Sequence, residues 1–296
     1  MKINATWFGL MAILFWSTSI GLMRTITESL GASAGAAIIY TLGGLLIICF
    51  KGVPKVWQFS KLYLYGCGAI FIIYEILLSQ SIGYAQDRQQ TLEVTMLNYA
   101  WPCFTVIGAI IFKLQKSNKL IWLGIALAFL GIIYSLTEGN LTFIHSIIFR
   151  IQLNPIPYLF AFSAAILWAL FCCITRKYGK GEDATSVFLF MTGVFLWCKY
   201  FIFDNTVLTI NFSVGLEVIF LSLAMALGYS FWNYGIQKGN ILLLSIMSYF
   251  TPLLSIFWSS LWLGVALSVA FWLGMLMVTG GSLLCYWGSR KSSLTK

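Results

Sequence analysis

Two carboxylates that could bind a charged group lie in apolar stretches of the sequence. Glu75 and Glu93 fall within or just inside segments long enough to cross a bilayer, where a carboxylate facing lipid costs on the order of a few kcal/mol. Each is therefore expected to face a cavity, a partner or the end of a span. Glu93 lies near a segment boundary, so its carboxylate can equally reach the interface. Glu75 lies deeper and is the better candidate for binding an ammonium group or a proton.

Two sets of polar residues share one helical spacing, in which the members follow each other at i, i+3, i+7 and i+10. They are Thr95, Asn98, Pro102 and Thr105, and then Ser245, Ser248, Pro252 and Ser255. This spacing places each set on one face of a helix. Close helix packing explains the Ser and Thr positions equally well, whereas the amide of Asn98 is harder to assign to packing. Each proline frees a carbonyl one turn earlier, so Pro102 and Pro252 are predicted to be helix hinges beside an exposed acceptor.

Aromatic residues accompany these polar groups at depths away from the expected interfacial belts. Together with Glu75 and Asn98, the residues predicted to line a binding cavity are Trp16, Tyr40, Tyr74, Tyr99, Trp101, Trp168, Trp232, Asn233, Ser248 and Tyr249. An amphipathic solute with an apolar body would suit such walls. A single aromatic residue in a membrane helix is more often a packing or lipid-facing residue, so the set argues more strongly than any one member.

The composition indicates that membrane helices position these groups. Of the 296 residues, 60% are hydrophobic and 9% are charged, whereas a soluble domain has roughly 45–50% apolar and about 25% charged residues. The 18 Lys and Arg and 9 Asp and Glu residues are too few to cover a soluble core of this size. The basic residues are scattered between apolar segments, which is evidence against a nucleic-acid partner.

Ten apolar segments of the required length can be found in the sequence. They are approximately 6–24, 33–50, 62–84, 91–113, 119–137, 156–176, 184–203, 215–237, 241–263 and 268–288. Because lipid cannot satisfy backbone polar groups, segments joined by such short loops are expected to be helices. The first, which follows Met1 and Lys2, has no small-residue cleavage site after it and is interpreted as an uncleaved helix. Lys and Arg are concentrated on the side of the two termini, which places both termini in the cytoplasm.

The second half of the sequence repeats features of the first. Trp122-Leu123-Gly124 with Gly131 returns as Trp272-Leu273-Gly274 with Gly281, and Tyr99 with Pro102 returns as Tyr249 with Pro252, all at an offset of 150 residues. Trp16 with Arg24 matches Trp168 with Arg176 at an offset of 152. A repeat of five helices is inverted relative to the membrane when it is duplicated, and such inverted halves commonly surround a central transport site.

Motifs for catalysis or metal binding are not found in the sequence. The one histidine, His145, lies in the central loop, and the seven cysteines include no C-x-x-C pair. We therefore expect no metal, no cofactor and no enzymatic activity. A membrane-embedded enzyme would need a cluster of nucleophile and base, and a channel would conduct without saturation; both remain alternatives to a carrier.

Several short strings resemble a known family. These are Phe15-Trp16-Ser17-Thr18, Tyr74-Glu75-Ile76, Glu93-Val94, Asn98-Tyr99-Ala100-Trp101-Pro102, Ser248-Tyr249-Phe250-Thr251-Pro252 and Gly280-Gly281-Ser282-Leu283-Leu284-Cys285. With the ten segments and the repeat, they resemble the EamA-type branch of the drug/metabolite transporter superfamily, and within it the exporters of aromatic amino acids. The resemblance implies an exporter of Phe, Tyr and Trp in the bacterial inner membrane, with other neutral amino acids as further candidates.

The predicted protein is thus an all-α polytopic membrane protein, with ten transmembrane helices arranged as two inverted five-helix repeats around a central cavity. The predicted divisions are a first repeat at 1–138, a central loop at 139–155, a second repeat at 156–288 and a cytoplasmic tail at 289–296. It would act by alternating access as a monomer, with a small molecule and the lipid bilayer as its partners. Export of another small amphipathic metabolite or drug is the alternative, and a single deep carboxylate permits proton coupling without requiring it.

Overall fold

The structure, a computed structural model, describes residues 5–140, 143–178, 183–204, 207–239 and 241–293. Within these ranges the side chains at 233, 236, 237, 241, 242, 245 and 290–293 are outside the description. The described residues contain ten helices that are long and apolar enough to cross a membrane. The protein is therefore a multi-pass, all-α membrane protein, as predicted.

The ten spanning helices are named α1 to α10 in chain order. They are α1 Ala5–Leu30, α2 Ala32–Lys51, α3 Leu62–Gly83, α4 Arg88–Ile111, α5 Lys119–Leu136, α6 Pro155–Tyr178, α7 Thr185–Asp204, α8 Phe212–Lys238, α9 in two segments at Ile241–Ser248 and Thr251–Leu263, and α10 Val269–Ser293. Since the number is even, α1 begins and α10 ends on the same face of the bundle, which we call the terminal face. The far face is where α1, α3 and α9 end and α4 and α8 begin.

The first helix is longer than the sequence predicts. Its apolar pattern stops near position 24, but the helix continues to Leu30. The polar residues of this last part are paired, because Arg24 and Glu28 form an ion pair one turn apart at 2.8 Å. Pairing at i and i+4 stabilises a helix that hydropathy alone would end.

Two helices are interrupted at corresponding positions, ahead of the predicted hinges. α4 breaks at Tyr99 and Ala100, and α9 breaks at Tyr249 and Phe250. At each break the backbone N–H bonds three residues back: Ala100 N to Leu97 O at 3.1 Å, and Phe250 N to Met247 O at 3.0 Å. The second position of each following segment is a proline, Pro102 or Pro252. In the first turn of a helix the backbone N–H groups have no acceptor within the helix. A proline there therefore loses no hydrogen bond, and the interruption costs little free energy.

A short helix lies within the predicted central loop. It spans Ile144–Leu153 and packs against α6. Apolar residues recur at 144, 147, 148 and 151, the spacing of one helical face. At ten residues the segment is too short to cross a bilayer, which is why a search for full spans leaves it as a loop. We call it the connecting helix.

Packing between the two halves follows a symmetric pattern. α5 packs on α10, and α2 packs on α7. α1 packs on α8, and the pair that exchange of the halves makes equivalent to it, α6 on α3, also forms. Each of these contacts between the halves therefore has a counterpart under exchange of the halves, as in an inverted repeat. The residue limits of that repeat stay a prediction.

Reciprocal glycine contacts join α5 to α10. A Cβ atom placed on Gly124 would lie 2.6 Å from the carbonyl oxygen of Gly281, and one on Gly281 would lie 2.5 Å from the carbonyl oxygen of Gly124. Gly131 and Gly274 oppose each other in the same way. Since 124 pairs with 274 and 131 with 281 in the predicted repeat, each of these contacts is the image of the other. The glycines allow the two backbones to approach closely.

A second reciprocal pair of glycine contacts joins α2 to α7, where the two halves of the sequence share no evident motif. A Cβ atom on Gly44 would lie 2.7 Å from the backbone nitrogen of Phe190, and one on Gly193 would lie 2.8 Å from the backbone nitrogen of Thr41. Gly44 with Gly193 and Thr41 with Phe190 are both separated by 149 residues. The symmetric contact therefore extends to helices in which no matching motif had been recognised.

Adjacent glycines in α10 allow a matched test of this packing. In Gly281→Ala the new methyl group would meet the backbone of α5, whereas in Gly280→Ala the nearest atom is Leu127 Cδ2 at 4.0 Å. We expect Gly281→Ala to lower the free energy of unfolding by about 1–3 kcal/mol, as overpacking does, and Gly280→Ala to leave it nearly unchanged. Thermal unfolding of both variants in detergent measures the difference. Equal midpoints would contradict the role given to the α5–α10 contact.

Candidate functional site

The carboxylate of Glu75 lies inside the bundle and is held by two tyrosines. Its side chain is on α3 and is 1% exposed. The hydroxyl of Tyr40 on α2 donates to Oε2 at 2.8 Å, and the hydroxyl of Tyr229 on α8 donates to Oε1 at 2.7 Å. None of the ion pairs formed by the described residues includes Glu75. Two neutral donors leave lone pairs on both oxygens, so the carboxylate can still bind an ammonium group or a proton.

Aromatic rings surround one side of this carboxylate. Trp168 on α6 lies 4.7 Å from the ring of the neighbouring Tyr74 and stacks on Phe171 at 5.4 Å. Trp101, the first residue after the break in α4, contacts Trp168 edge-on at 6.3 Å. These centroid distances are typical of attractive aromatic pairs. The rings of α3, α4 and α6 thus form one apolar wall beside Glu75.

A second group of rings reaches the same carboxylate from α1 and α8. Trp16 lies 5.4 Å from Tyr229 and 5.3 Å from Trp232. Phe71 joins the two groups, at 6.3 Å from Trp168 and 6.0 Å from Tyr229. The predicted residues Trp16, Tyr40, Tyr74, Glu75, Trp101, Trp168 and Trp232 are therefore brought together in one network.

Three members of this network were not identified from the sequence. Phe71 and Phe171 belong to an abundant residue type in apolar spans, and nothing in their spacing distinguishes them. Tyr229 carries a usable signal, because it precedes Trp232 by one helical turn and so shares its face. That Tyr229 hydrogen-bonds Glu75 depends on how α8 packs on the rest of the bundle, which spacing does not specify.

Two buried polar atoms, one of them on Trp16 of this network, have no partner in the described part of the chain. Asn98 is 5% exposed and its Oδ1 accepts no hydrogen bond, and the indole Nε1 of Trp16 donates none. Asn98 ends the first segment of α4, three residues before Trp101. Buried polar groups are normally satisfied, so the free donor of Trp16 indicates a place for a polar ligand beside the rings, and the free acceptor of Asn98 is a candidate for the same ligand.

The other predicted site residues have different surroundings. Tyr99 packs in an apolar cluster with residues of α9 and α10, and the ring of Tyr249 contacts Tyr286 of α10 at 5.9 Å. Ser248 is only partly buried. The side chain of Asn233 lies outside the described residues. For these four, a place at the ligand stays a prediction.

Glu93, the second buried carboxylate, anchors the connecting helix. It is 1% exposed, accepts a hydrogen bond from Tyr158 at 2.6 Å and pairs with Arg150. Asn154, just after the connecting helix, donates to Gln90 Oε1 at 3.0 Å. Burial with its own cation makes Glu93 a structural tether between α4, α6 and the connecting helix.

A chain of charged residues connects four helices at the far face. Glu28 on α1 binds Arg24 and also Arg88, each at 2.8 Å. Arg24, 6% exposed, donates to the carbonyl oxygens of Ile82 and Ala85 at 3.0 and 2.6 Å. Arg88 donates to the carbonyl oxygen of Leu263 at 3.1 Å. This far-face clamp joins the ends of α1, α3 and α9 to the start of α4.

One ion pair on the terminal face joins α2 to the start of α7. Lys51 Nζ lies 3.2 Å from Asp183 Oδ2. Although burial raises the pKa of Asp183, the Lys51 ammonium and hydrogen bonds from Thr185 outweigh it and hold that pKa below its usual range. In the described residues, no group of three or more His, Cys, Asp or Glu is arranged to hold a metal ion.

Comparison with known proteins gives a consistent result. The model of the EamA-like transporter family matches residues 155–287. The chain is 41% identical to the aromatic amino acid exporter YddG of Escherichia coli (strain K12), over 97% of this chain and 98% of that protein. It is 40% identical to the protein of that name in Salmonella typhimurium, with the same coverage. A solved crystal structure, 22% identical, matches with a TM-score of 0.70 over 97% of this chain and 98% of its own and supports the fold alone.

The far-face clamp can be tested through the accessibility of the residues beneath it. Ser81 on α3 is fully buried and its hydroxyl has no partner among the described residues, so Ser81→Cys is a mild reporter. Glu28→Gln removes the charge that holds Arg24 and Arg88. We expect Glu28→Gln to speed the reaction of this cysteine with a membrane-impermeant maleimide by about tenfold, the effect of losing ~1.4 kcal/mol of ion pairing.

The matched control is Asp183→Asn, which breaks an ion pair on the terminal face. It should leave labelling from the far face unchanged. Labelling that is equally slow in the Glu28→Gln protein would show that the clamp does not keep the far face closed.

Proposed function

Because the chain belongs to the EamA-like transporter family, we propose that it exports aromatic amino acids from the cytoplasm across the bacterial inner membrane. The observation that carries the proposal is the buried carboxylate of Glu75, which accepts hydrogen bonds from Tyr40 and Tyr229. The ring of Tyr74, the residue before it, contacts the ring of Trp168. A cation with an aromatic body matches this combination, and a free aromatic amino acid has both parts.

The amino group of the substrate would bind at Glu75. An ammonium group has three N–H donors; Glu75 and Oδ1 of Asn98, which accepts no hydrogen bond from the described residues, would share them. Charge-assisted hydrogen bonds of this kind are the stronger ones in proteins. The uncharged surroundings of Glu75 make the bound ammonium its natural counter-ion.

The carboxylate and the ring of the substrate would use the remaining groups. Trp16 presents a buried indole N–H that has no partner among the described residues and can donate to a carboxylate oxygen. The ring would pack among Tyr74, Trp101 and Trp168; the centroid of Trp168 lies 4.7 Å from that of Tyr74 and 6.3 Å from that of Trp101. Side chains that bind both ends of a zwitterion and its ring favour an amino acid over an amine or an acid alone.

Transport would proceed by alternating access between the two halves. The far-face clamp must open to release substrate on that side, and the breaks before Pro102 and Pro252 provide the points at which α4 and α9 can bend. The excess of Lys and Arg on the terminal face supports cytoplasmic termini, so the far face would be periplasmic. Exchange of substrate between faces then follows the general scheme of inverted-repeat carriers.

The proposed unit is one chain acting as a carrier without a cofactor and without enzymatic activity. All of the groups assigned to the substrate come from one bundle, and the relatives in Escherichia coli and Salmonella typhimurium are named as exporters. Counterflow in proteoliposomes separates this proposal from export of another amphipathic metabolite. Absence of flux for Phe, Tyr and Trp would reject the aromatic amino acid.

Trp168 provides a direct test of the aromatic wall. Trp168→Ala removes the ring that contacts Tyr74, Trp101 and Phe171 and is expected to slow counterflow of L-phenylalanine about tenfold, as loss of a favourable aromatic contact would. Trp57→Ala is the control, because Trp57 is 76% exposed. Both proteins are quantified in the membrane first. An equal loss in both variants, or none in Trp168→Ala, would remove Trp168 from the binding site.

Glu75 is tested by comparing L-phenylalanine with 3-phenylpropionate, which lacks the amino group. Inhibition of counterflow should favour the amino acid by at least about tenfold in the native protein, since hydrogen bonds to charged groups contribute ~1.5–3 kcal/mol. In Glu75→Gln this preference should disappear, because the ammonium loses its counter-ion. If Glu75→Gln keeps the preference while the ring contacts are intact, the amino group binds elsewhere.

A further inference from the structure

A trench on the side of the bundle lies outside the proposed substrate site. It has a volume of about 380 Å³ and runs between α1, α8 and α9. The floor is formed by Thr18 and Leu22, and the walls by Leu216, Phe220, Trp258 and Trp262. The two indole rings are 44% and 52% exposed, so the trench opens toward the surface that faces lipid.

Polarity changes along the depth of this trench. At its end near the far face, Thr25 donates to Glu217 Oε2 at 2.5 Å, and the indole Nε1 of Trp262 donates to the Thr25 hydroxyl at 3.3 Å. Toward the middle of the membrane the lining changes to Leu22, Phe220 and Trp258, and the hydroxyl of the one polar residue there, Thr18, is bound to the carbonyl oxygen of Phe15 at 2.9 Å. A polar end at the interface and an apolar end in the hydrocarbon is the orientation of a lipid molecule in its leaflet.

Glu217 supplies the charge at the polar end. It lies five residues into α8, within the membrane span. Its described partner is a hydroxyl, and none of the ion pairs among the described residues includes it. A carboxylate at this depth is expensive without a counter-charge. Arg88 begins α4 at the same face of the bundle, but its guanidinium is already bound to Glu28 and to the carbonyl oxygen of Leu263.

We propose that this trench binds a phospholipid with a primary ammonium head group, phosphatidylethanolamine, from the leaflet at the far face. Its ammonium donates to Glu217, its phosphate lies on the side of Arg88, and one acyl chain occupies the trench along Phe220 and Trp258. Charge complementarity attracts a cationic head group, and hydrogen bonding selects among such groups, because a primary ammonium donates hydrogen bonds whereas the equally charged quaternary ammonium of phosphatidylcholine has no N–H. Bound there, the lipid would hold α1 against α8 and α9 beside Arg24 of the clamp.

Native mass spectrometry of the whole chain in detergent, with added phosphatidylethanolamine or phosphatidylcholine, tests the site. The native protein should retain phosphatidylethanolamine about tenfold better, the effect of one charge-assisted hydrogen bond. Glu217→Gln should remove that preference. Glu138→Gln is the control, because Glu138 is an exposed carboxylate that lines a different cleft.

A second variant separates loss of the site from poor folding. Leu216→Trp narrows the trench without a change of charge, since Leu216 is an exposed wall residue, and should reduce retention of phosphatidylethanolamine. Equal retention of the two lipids by the native protein, or full retention by both variants, would overturn the proposal. Displacement of the lipid by L-phenylalanine would instead make the trench a substrate route, and a dimer that Leu216→Trp disrupts would make it a protein interface.

Discussion

The hydrogen bonds that hold the carboxylate of Glu75 are the interaction on which the rest of the architecture depends. A carboxylate within a bilayer needs partners, and here they come from Tyr40 on α2 and Tyr229 on α8. Helices α2 and α3 belong to the first half of the chain and α8 to the second, so the site exists only where the two halves pack together. The rings of Trp16 and Trp168 then enclose the carboxylate from α1 and α6.

Close backbone contacts make this packing between the halves possible. Gly124 and Gly131 on α5 meet Gly281 and Gly274 on α10, and α2 meets α7 at a further reciprocal pair. Small residues are what membrane helices use where no hydrophobic driving force exists between them. The same exchange of halves relates the breaks in α4 and α9. The far-face clamp is the one charged connection across the ends of α1, α3, α4 and α9 at that face in the described residues.

Much of this could be predicted from the sequence. The lengths of the apolar segments predict the ten helices, and the repeat agrees with that number. The position of Glu75 deep within one segment marks it as a candidate binding residue. The prediction failed where a property depends on neighbours in space. The hydrogen bond of Tyr229 to Glu75, the pairing of Glu93 with Arg150 and the trench beside Glu217 all join distant parts of the chain. Spacing fixes the helical face on which a side chain lies, but it does not fix which helix that face meets.

The most direct test of the account is a structure of the protein with 5-bromo-L-tryptophan, in which anomalous scattering locates the bromine and so the ring. The amino nitrogen should lie about 3 Å from an oxygen of Glu75, a normal hydrogen-bond distance, with the indole among Tyr74, Trp101 and Trp168. A ligand bound with its amino group away from Glu75, or outside this network of rings, would contradict the central claim.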